Sequence, residues 1–339
     1  MRTPQLSIAV PVYNGEKFLG KCLESIAQSV QSLNEDERAS VEVIVCDNCS
    51  SDRSLEIARE ARFDCVSRVV QTPEFYDNRT LNWRHALSQA TGTWMMMLHA
   101  DDLLAPQGFP ALVSACKRKA NDPRVIMISG RVQYFSDTTP PGRAHPLWPL
   151  PSRLSGKGLR HNVLPLLCPF VPFTVMRRAS YEQVGGLDAQ YELVQDWDLW
   201  FRLLGLGDMY IFPQVFGLWR THGFSEKYAR IFAFEHAKLA LRIRELVPDL
   251  DEQATLRCLR VQLAKARNWV SDLTAETLAA EIDGISAEQK EALASHFPTP
   301  EEIQPRLRQA DQAVSASLYW LRFSGGFKLL AGSPSSSTS

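Results

Sequence analysis

Two adjacent acidic residues follow an apolar run in the segment MMMLHADDLL, residues 95–104. The neighbouring carboxylates of Asp101 and Asp102 repel each other by ~1 kcal/mol at 4 Å in water, and by more where the dielectric constant is lower. A divalent cation relieves that repulsion. Hard oxygen ligands suit Mg²⁺ or Mn²⁺, which usually bind together with substrate phosphates. The pair therefore predicts a metal–diphosphate site, with an acidic helix start ahead of Pro106 as the structural alternative.

Two further polar segments also follow apolar runs. DNCSSD, residues 47–52, supplies short polar side chains, and PVYN, residues 11–14, supplies an aromatic ring for a nucleotide base with an amide beside it. Each segment alone is typical of a turn. Three polar strand ends in one parallel sheet favour a ligand site, because such sheets bind ligands at the carboxyl ends of their strands.

Strand ends of this kind require an α/β fold. Apolar runs predict strands at 6–12, 41–46, 66–70, 93–98 and 124–129. Helical patterns occupy 16–33, 80–89 and 106–119, and another helix starts near Asp52, a candidate N-cap. This alternation predicts a mainly parallel central sheet with flanking helices.

The rest of the chain changes character. Residues 136–162 are rich in proline and predict a long loop or lid, and 163–176 predict broken strands and turns. From residue 226 the pattern is helical. We expect a site-bearing domain over 1–225, a helical C-terminal region over 226–332 and a disordered tail over 333–339.

Composition excludes several classes of protein. The 339 residues carry a net charge of -1, so no basic field attracts nucleic acid. Seven scattered cysteines favour reduced thiols in a cytoplasmic protein, and the CxxC of Cys46 and Cys49 lacks a second pair for zinc. The N-terminus does not resemble a signal peptide, and no apolar stretch reaches the ~20 residues of a membrane span.

Taken in order, the motifs resemble those of a family-2 glycosyltransferase. They are PVYNG, DNCSSD, NWRHALSQATGTWMMMLHADDLL, GGLD at 185–188, QDWDLWFRL at 195–203 and WRTH at 219–222. The resemblance covers about residues 5–225. It implies the glycosyltransferase A type fold and inverting, metal-dependent transfer from a nucleotide-diphosphate sugar, with UDP- or dTDP-sugars favoured, to an acceptor hydroxyl.

The resemblance also implies a set of residues that bind the nucleotide and donor sugar. These are Pro11, Tyr13, Asn14, Asp47, Asn48, Asp52, Arg84 and Asp101. Tyr13 would lie against the base. Asn48 stands where many members have a second aspartate, and its amide oxygen can still accept a hydrogen bond from a pyrimidine N3–H. Arg84 would reach a phosphate, with an exposed surface arginine as the alternative.

For the metal, Mn²⁺ or Mg²⁺, the resemblance implies Asp102 as a ligand and His222 close to the ion or the diphosphate. His99 occupies the place of the family's first acid. It either touches the sugar or simply ends the strand.

Asp196 inherits the position of the catalytic base, where a placed carboxylate contributes ~10² to 10⁴ in rate. Gln195 replaces the family's glutamate beside it. Gln195 and Trp197 are the candidate acceptor contacts. Asp198 is expected to pair with Arg202 four residues later.

Residues 313–330 combine aromatic, aliphatic and basic side chains and suit an interfacial helix, which would fit a lipid-linked acceptor in surface polysaccharide or glycolipid assembly at the inner face of the membrane. Packing on the catalytic domain, or in a homo-oligomer, is the alternative.

Two rival functions stay open. A sugar nucleotidyltransferase would need a glycine-rich basic loop after its first strand, which PVYNGEKF does not provide. A degenerate carbohydrate- or nucleotide-sugar-binding protein is compatible with His99 and Gln195, but the retained acids at 101, 102 and 196 argue against it.

Overall fold

The computed structural model describes residues 3–142, 151–168, 173–221 and 225–326, with side chains to residue 317. Nine strands lie in these ranges: β1 (Leu6–Val12), β2 (Val41–Asp47), β3 (Val66–Gln71), β4 (Trp94–Met97), β5 (Leu103–Leu104), β6 (Val125–Phe135), β7 (Ser152–Leu154), β8 (Val175–Arg177) and β9 (Asp208–Arg220). The helices of the first 225 residues are α1 (Glu16–Gln31), α2 (Glu35–Arg38), α3 (Ser54–Glu60), α4 (Arg79–Ser88), α5 (Phe109–Lys119), α6 (Gly156–Asn162), α7 (Arg178–Gln183) and α8 (Gln195–Leu203). Those that follow are α9 (Glu226–Leu241), α10 (Ile243–Leu246), α11 (Glu252–Trp269), α12 (Ala275–Glu281), α13 (Ala287–His296) and α14 (Pro300–Gly326).

One sheet organises the described chain, in the order β3-β2-β1-β4-β8-β6-β9-β5, with β7 also paired to β9. The first four strands in that order are parallel, and every residue of β1 and β2 is buried. The other half is mixed, because β8 runs antiparallel between β4 and β6. The predicted α/β fold with flanking helices is confirmed.

The parallel strands end together at one edge of the sheet. Val12 lies opposite Asp47, and the backbone N–H of Asn48 donates to the Val12 carbonyl at 2.8 Å. On the other side of β1, the N–H of Leu98 donates to the Ala9 carbonyl at 2.9 Å. The three polar segments that follow these strands therefore meet at this carboxyl edge.

Two hydrophobic layers cover the sheet. One packs α1, α3 and α5 against it through residues such as Leu19, Ala58 and Leu112. The other contains α4, α8, α9 and α11, and it joins Phe201 of α8 with Leu239 and Leu263. This second core crosses residue 225, where α9 begins. The domain boundary at 225 stays a prediction.

Several predicted elements differ in detail. The prediction of a loop or lid over 136–162 is wrong for residues 152–162, which form β7 and α6. Pairing with β9 orders β7, and the Ser155 hydroxyl caps α6 by accepting from the Gly158 N–H. Helix α5 begins at Phe109, not at 106. The predicted tail at 333–339 lies outside the described residues.

The predicted N-cap at Asp52 is also wrong, because α3 begins after Arg53. No helix in the described part of the chain is both long and apolar enough to cross a membrane. Of the predicted interfacial segment 313–330, side chains are described only to residue 317.

Candidate active site

The turns after β1 and β2 are locked to each other. Asn14 adopts a left-handed conformation with φ of 48°, which asparagine tolerates better than most residues. Its Oδ1 accepts from the Ser51 N–H at 2.9 Å, and its own N–H donates to the Ser50 hydroxyl at 2.9 Å. The Asp52 carboxylate accepts from the Glu16 N–H at 3.0 Å. The polar side-chain atoms of Asn14 and Asp52 that were expected to face the donor therefore hold these two turns together.

Asp47 and Asn48 differ in whether a side-chain oxygen remains available to a ligand. The Asn48 amide is 2% exposed and bonds both backbone groups of Tyr76, at 2.8 and 2.9 Å. The atom expected to accept from a base therefore holds the segment that follows β3. Asp47 accepts from Ser50 and Gln71 through Oδ2, both at 3.2 Å. Its buried Oδ1 has no partner among the described residues and is the acceptor left for a ligand.

An aromatic pair lies at the same edge. Tyr13 and Phe75 are each 48% exposed, and their ring centroids are 4.9 Å apart. The pair presents an apolar surface suited to a nucleotide base. Phe75 was missed from the sequence because it lies 62 residues from Tyr13 in a segment without a motif. Pro11 is buried within β1, opposite Cys46.

The acidic turn after β4 forms a three-residue cluster. His99, Asp101 and Asp102 each offer one ligand atom, and these atoms lie within 4.8 Å of one another. Asp102 is 1% exposed. Its Oδ1 accepts from the Arg220 N–H at 2.8 Å, while its buried Oδ2 has no hydrogen-bond partner among the described residues.

The electrostatics of the cluster favour a bound cation. Burial, followed by the charge of Asp101, raises the pKa of Asp102 well above its usual range, against the opposing bond from Arg220. Burial also lowers the pKa of His99 to about 4, so the imidazole is neutral and its 3.6 Å approach to Asp102 is not an ion pair. A neutral imidazole and two crowded carboxylates can all ligate a divalent ion. These residues fit Mg²⁺ or Mn²⁺.

Arg220 is a second residue of this site that was missed from the sequence, although it stands in the quoted WRTH motif. Its Nε donates to the Asp101 carbonyl at 2.9 Å, and its Nη1 pairs with Asp137. Its guanidinium carbon lies 4.7 Å from the Phe18 ring centroid and 4.4 Å from that of Phe135. Arg220 thereby holds the acidic turn against the end of β9. His222, the other predicted metal ligand, lies outside the described residues.

Two arginines of α4 occupy different positions. Arg84 is exposed, and its phosphate contact stays a prediction. Arg79, at the start of the helix, helps lower the pKa of His99 and lies 5.9 Å from the ring of Trp83. Trp83 in turn stacks on His99 with centroids 4.5 Å apart. Arg79 is therefore an α4 cation whose charge reaches the cluster.

The candidate base Asp196 lies in the first turn of α8. Burial raises its pKa to about 6, with the Trp197 N–H opposing at 2.7 Å and the Glu235 charge adding to the rise. The segment before α8 is bonded to the start of α4. There the Thr80 hydroxyl donates to the Tyr191 carbonyl at 2.6 Å. This bond links the segment before α8 to the helix whose Trp83 stacks on His99 of the acidic cluster.

The structure contradicts the acceptor contact predicted for Trp197. This side chain is 3% exposed, and its indole N–H donates to the Leu164 carbonyl at 3.0 Å, so it belongs to the core. Gln195 is 1% exposed, and its buried Oε1 has no hydrogen-bond partner among the described residues, so its acceptor contact stays a prediction. Asp198 pairs with Arg202 as predicted, at 2.9 Å.

Residues 7–185 match the family model described as glycosyl transferase family 2. A putative glycosyltransferase, EpsE of Bacillus subtilis, is 25% identical over 208 residues, which are 60% of this chain and 68% of that protein. A PGL/p-HBAD biosynthesis glycosyltransferase of Mycobacterium bovis is 26% identical over 200 residues, covering 58% and 69%. Against the poly(ribitol-phosphate) beta-N-acetylglucosaminyltransferase TarS of Staphylococcus aureus, the match covers 37% of this chain and 21% of that protein at 25% identity.

Solved structures show the same fold. TarS residues 1–349 in complex with UDP-GlcNAc superpose with a TM-score of 0.60 at 17% identity, covering 94% of this chain and 90% of that one. The mannosyltransferase PcManGT of Pyrobaculum calidifontis, in complex with GDP-Man and Mn²⁺, gives a TM-score of 0.51 at 16% identity, covering 94% and 88%.

Proposed function

Since the chain belongs to glycosyl transferase family 2 and is therefore a glycosyltransferase, we propose that it moves a sugar from a nucleotide-diphosphate donor to an acceptor hydroxyl, with inversion and with a divalent cation. The observation that carries the proposal is the cluster of His99, Asp101 and Asp102 at the carboxyl edge of the parallel strands. Unpartnered buried oxygens on Asp47 and Asp102 support a ligand there.

On this proposal the donor lies along the edge from β2 to β4. The Tyr13–Phe75 pair contacts the base, and Asp47 Oδ1 accepts a hydrogen bond from the nucleoside. Asp101 and Asp102 would hold Mg²⁺ or Mn²⁺, and a divalent ion there would supply positive charge beside the diphosphate. Arg220 holds the turn that carries both acids, through its backbone N–H to the Asp102 carboxylate and its Nε to the Asp101 carbonyl.

Asp196 supplies the base. Its carboxylate takes the proton of the acceptor hydroxyl while that oxygen bonds to the anomeric carbon. The bond from that carbon to the diphosphate oxygen breaks on the opposite face, so the configuration inverts. A pKa of about 6 suits the task, because the group is mostly ionised at neutral pH and still a stronger base than an ordinary aspartate.

Substrates of the relatives suggest the class of donor and acceptor. TarS is bound to UDP-GlcNAc and PcManGT to GDP-Man, and the TarS name gives poly(ribitol-phosphate) as its acceptor. We therefore place UDP-sugars first among the donors. A saccharide or lipid-linked acceptor in surface polysaccharide or glycolipid assembly remains the proposed second substrate, used at the cytoplasmic face of the membrane.

Thermal unfolding with UDP, GDP, CMP or dTDP, each with and without Mn²⁺, tests the proposed site. A ligand at 100 times its dissociation constant adds ~2.7 kcal/mol, a shift of several degrees. We expect one nucleotide to raise the melting temperature only with metal, and Asp102→Ala to lose that shift. Asp272→Ala, an exposed acid in the helical region, should keep it. A chain that no nucleotide stabilises would overturn the proposed donor site.

A further inference from the structure

Glu235 of α9 is a buried carboxylate with an unusual set of partners. It is 8% exposed and accepts three successive backbone N–H groups, from Glu192 at 2.5 Å, Leu193 at 2.7 Å and Val194 at 3.0 Å. Three N–H groups that converge on one anion form a concave backbone site of the kind that binds anions. A side chain from the C-terminal helices occupies that site here.

The three bonded residues lead directly into α8. Val194 is the N-cap of that helix, and its carbonyl accepts the Asp198 N–H at 3.1 Å. Asp196 lies two residues beyond Val194, with its carboxylate on the Trp197 N–H. The position of the Glu235 carboxylate therefore determines where α8 begins and where its first turn holds Asp196.

Helix α9 also reaches the other side of the site. Tyr228, seven residues before Glu235, presents its ring 5.3 Å from the Arg79 guanidinium, whose charge acts on His99. The whole of α9 lies beyond residue 185, where the match to the family model ends. The contacts that α9 makes with the site therefore come from a part of the chain that the family model does not cover.

We propose that Glu235 is a positioning residue for the base Asp196, and that the C-terminal helices are by this contact part of the catalytic unit. The proposal rests on the proposed function, because it takes Asp196 as the base. It assigns a role to helices that carry no chemical motif of their own.

The charge of Glu235 acts on the pKa of Asp196, and a purely structural role would leave that pKa unchanged. The negative charge of Glu235 adds to the rise in the pKa of Asp196. The other carboxylate that acts on Glu235 is that of Glu192, which is only half-buried. Glu235→Gln removes the charge at nearly constant size, so it should lower the pKa of Asp196 and displace the start of α8.

The experiment compares Glu235→Gln and Glu235→Asp with Glu226→Gln in the full chain. Glu226 lies on the same helix with a side chain that is 88% exposed, which makes it a matched control. Nucleotide release from the donor gives kcat and the donor KM. Carbon-13 NMR of the aspartate carboxyls follows the titration of Asp196, identified by its loss in Asp196→Asn.

For Glu235→Gln we expect kcat to fall by about 10- to 100-fold, since a misplacement of ~1 Å can cost ~10² in rate. The donor KM should change by less than about twofold, because the donor site is left intact. The Asp196 midpoint should move below that of the wild type. Glu235→Asp should keep the charge and the midpoint while losing part of kcat.

An unchanged kcat and an unchanged Asp196 midpoint in folded Glu235→Gln would overturn the proposal. If that variant does not fold, Glu235→Asp decides the question, and a wild-type kcat there would count against a positioning role. A wild type that releases no nucleotide would refute the proposed function instead. The Asp196 midpoint would still report the contact, because its measurement needs no turnover.

Discussion

The pKa of Asp196 departs from the usual aspartate value because of its surroundings. Burial in the first turn of α8 raises its pKa to about 6, and the adjacent Trp197 N–H limits the rise. The ionised carboxylate is the form that accepts a proton. Transfer should therefore be active above this pKa and decline as the pH falls through about 6.

Replacing Asp196 with Asn should lower kcat by ~10² to 10⁴, because the amide cannot take the acceptor proton. The thermal shift with nucleotide and Mn²⁺ should persist, since the proposed donor site is formed by residues that follow β1, β2 and β4 and does not include Asp196. Nucleotide release measured from about pH 5 to pH 8 should show the acidic decline in the wild type. Asp272→Asn, an exposed acid, serves as the control for surface charge. Undiminished turnover in Asp196→Asn would remove the base assignment.

At this scale the sequence singled out candidate acids but did not show which of their atoms are free. Asp101 and Asp102 stand out because they end an apolar run, whereas Asp196 is singled out only by the resemblance to the family. Asn48 and Trp197 carry polar atoms that can serve either a ligand or the fold. Their partners, Tyr76 and Leu164, lie 28 and 33 residues away, and no local pattern reveals such pairings.

Among the elements, β9 matters most for the site, because its last residue, Arg220, holds the acidic turn after β4. Arg220 is 5% exposed and combines bonds to the Asp101 backbone and the Asp137 carboxylate with ring contacts on both sides. β9 itself pairs with β6, β5 and β7. The acidic turn is therefore anchored to the mixed half of the sheet.

Arg220→Ala should destabilise the fold by about 2–4 kcal/mol, because hydrogen bonds to charged groups and close packing are lost together. It should also weaken the metal-dependent nucleotide shift, since the acidic turn loses the Nε bond to the Asp101 carbonyl, although the backbone N–H of residue 220 still reaches the Asp102 carboxylate. Lys17→Ala is the matched control: Lys17 pairs with the same Asp137 at 3.3 Å from a side chain that is 71% exposed. Urea unfolding gives both free energies. Equal effects of the two substitutions would contradict the anchoring role.

The strands that the sequence predicted are those whose own residues carry the pattern. β1, β2 and β4 are mostly apolar and buried at every residue. β5, β7 and β8 have two or three residues each and form by pairing with β4, β6 and β9. Their stability comes from partners distant in sequence, which is why the prolines of 136–162 predicted only a loop there.

At the scale of the whole molecule, the C-terminal helices are bonded into the sheet domain. Three of their residues make buried or half-buried polar contacts with backbone groups that precede residue 225. Glu235 accepts the three N–H groups before α8, the Gln262 amide donates to the Pro165 carbonyl at 2.8 Å, and the Lys265 ammonium donates to the Leu166 carbonyl at 2.6 Å. Burial lowers the pKa of Lys265 to about 8, as expected for an ammonium enclosed by this core.

A chain of residues 1–225 should therefore fail to fold cooperatively, although the motifs end near that point. Removing α9 to α14 uncovers large side chains such as Trp197 and Phe201, which now share a core with Leu239 and Leu263. Each buried side chain of this size contributes ~1.5–3 kcal/mol, so losing several exceeds the ~5–15 kcal/mol by which a domain is stable. Circular dichroism melting would compare this chain with one ending at residue 332, which keeps all described helices and should melt like the full chain. A cooperative transition of the 1–225 chain at the full-length temperature would instead establish an independent catalytic domain, and it would make the Glu235 contact an interface between two domains.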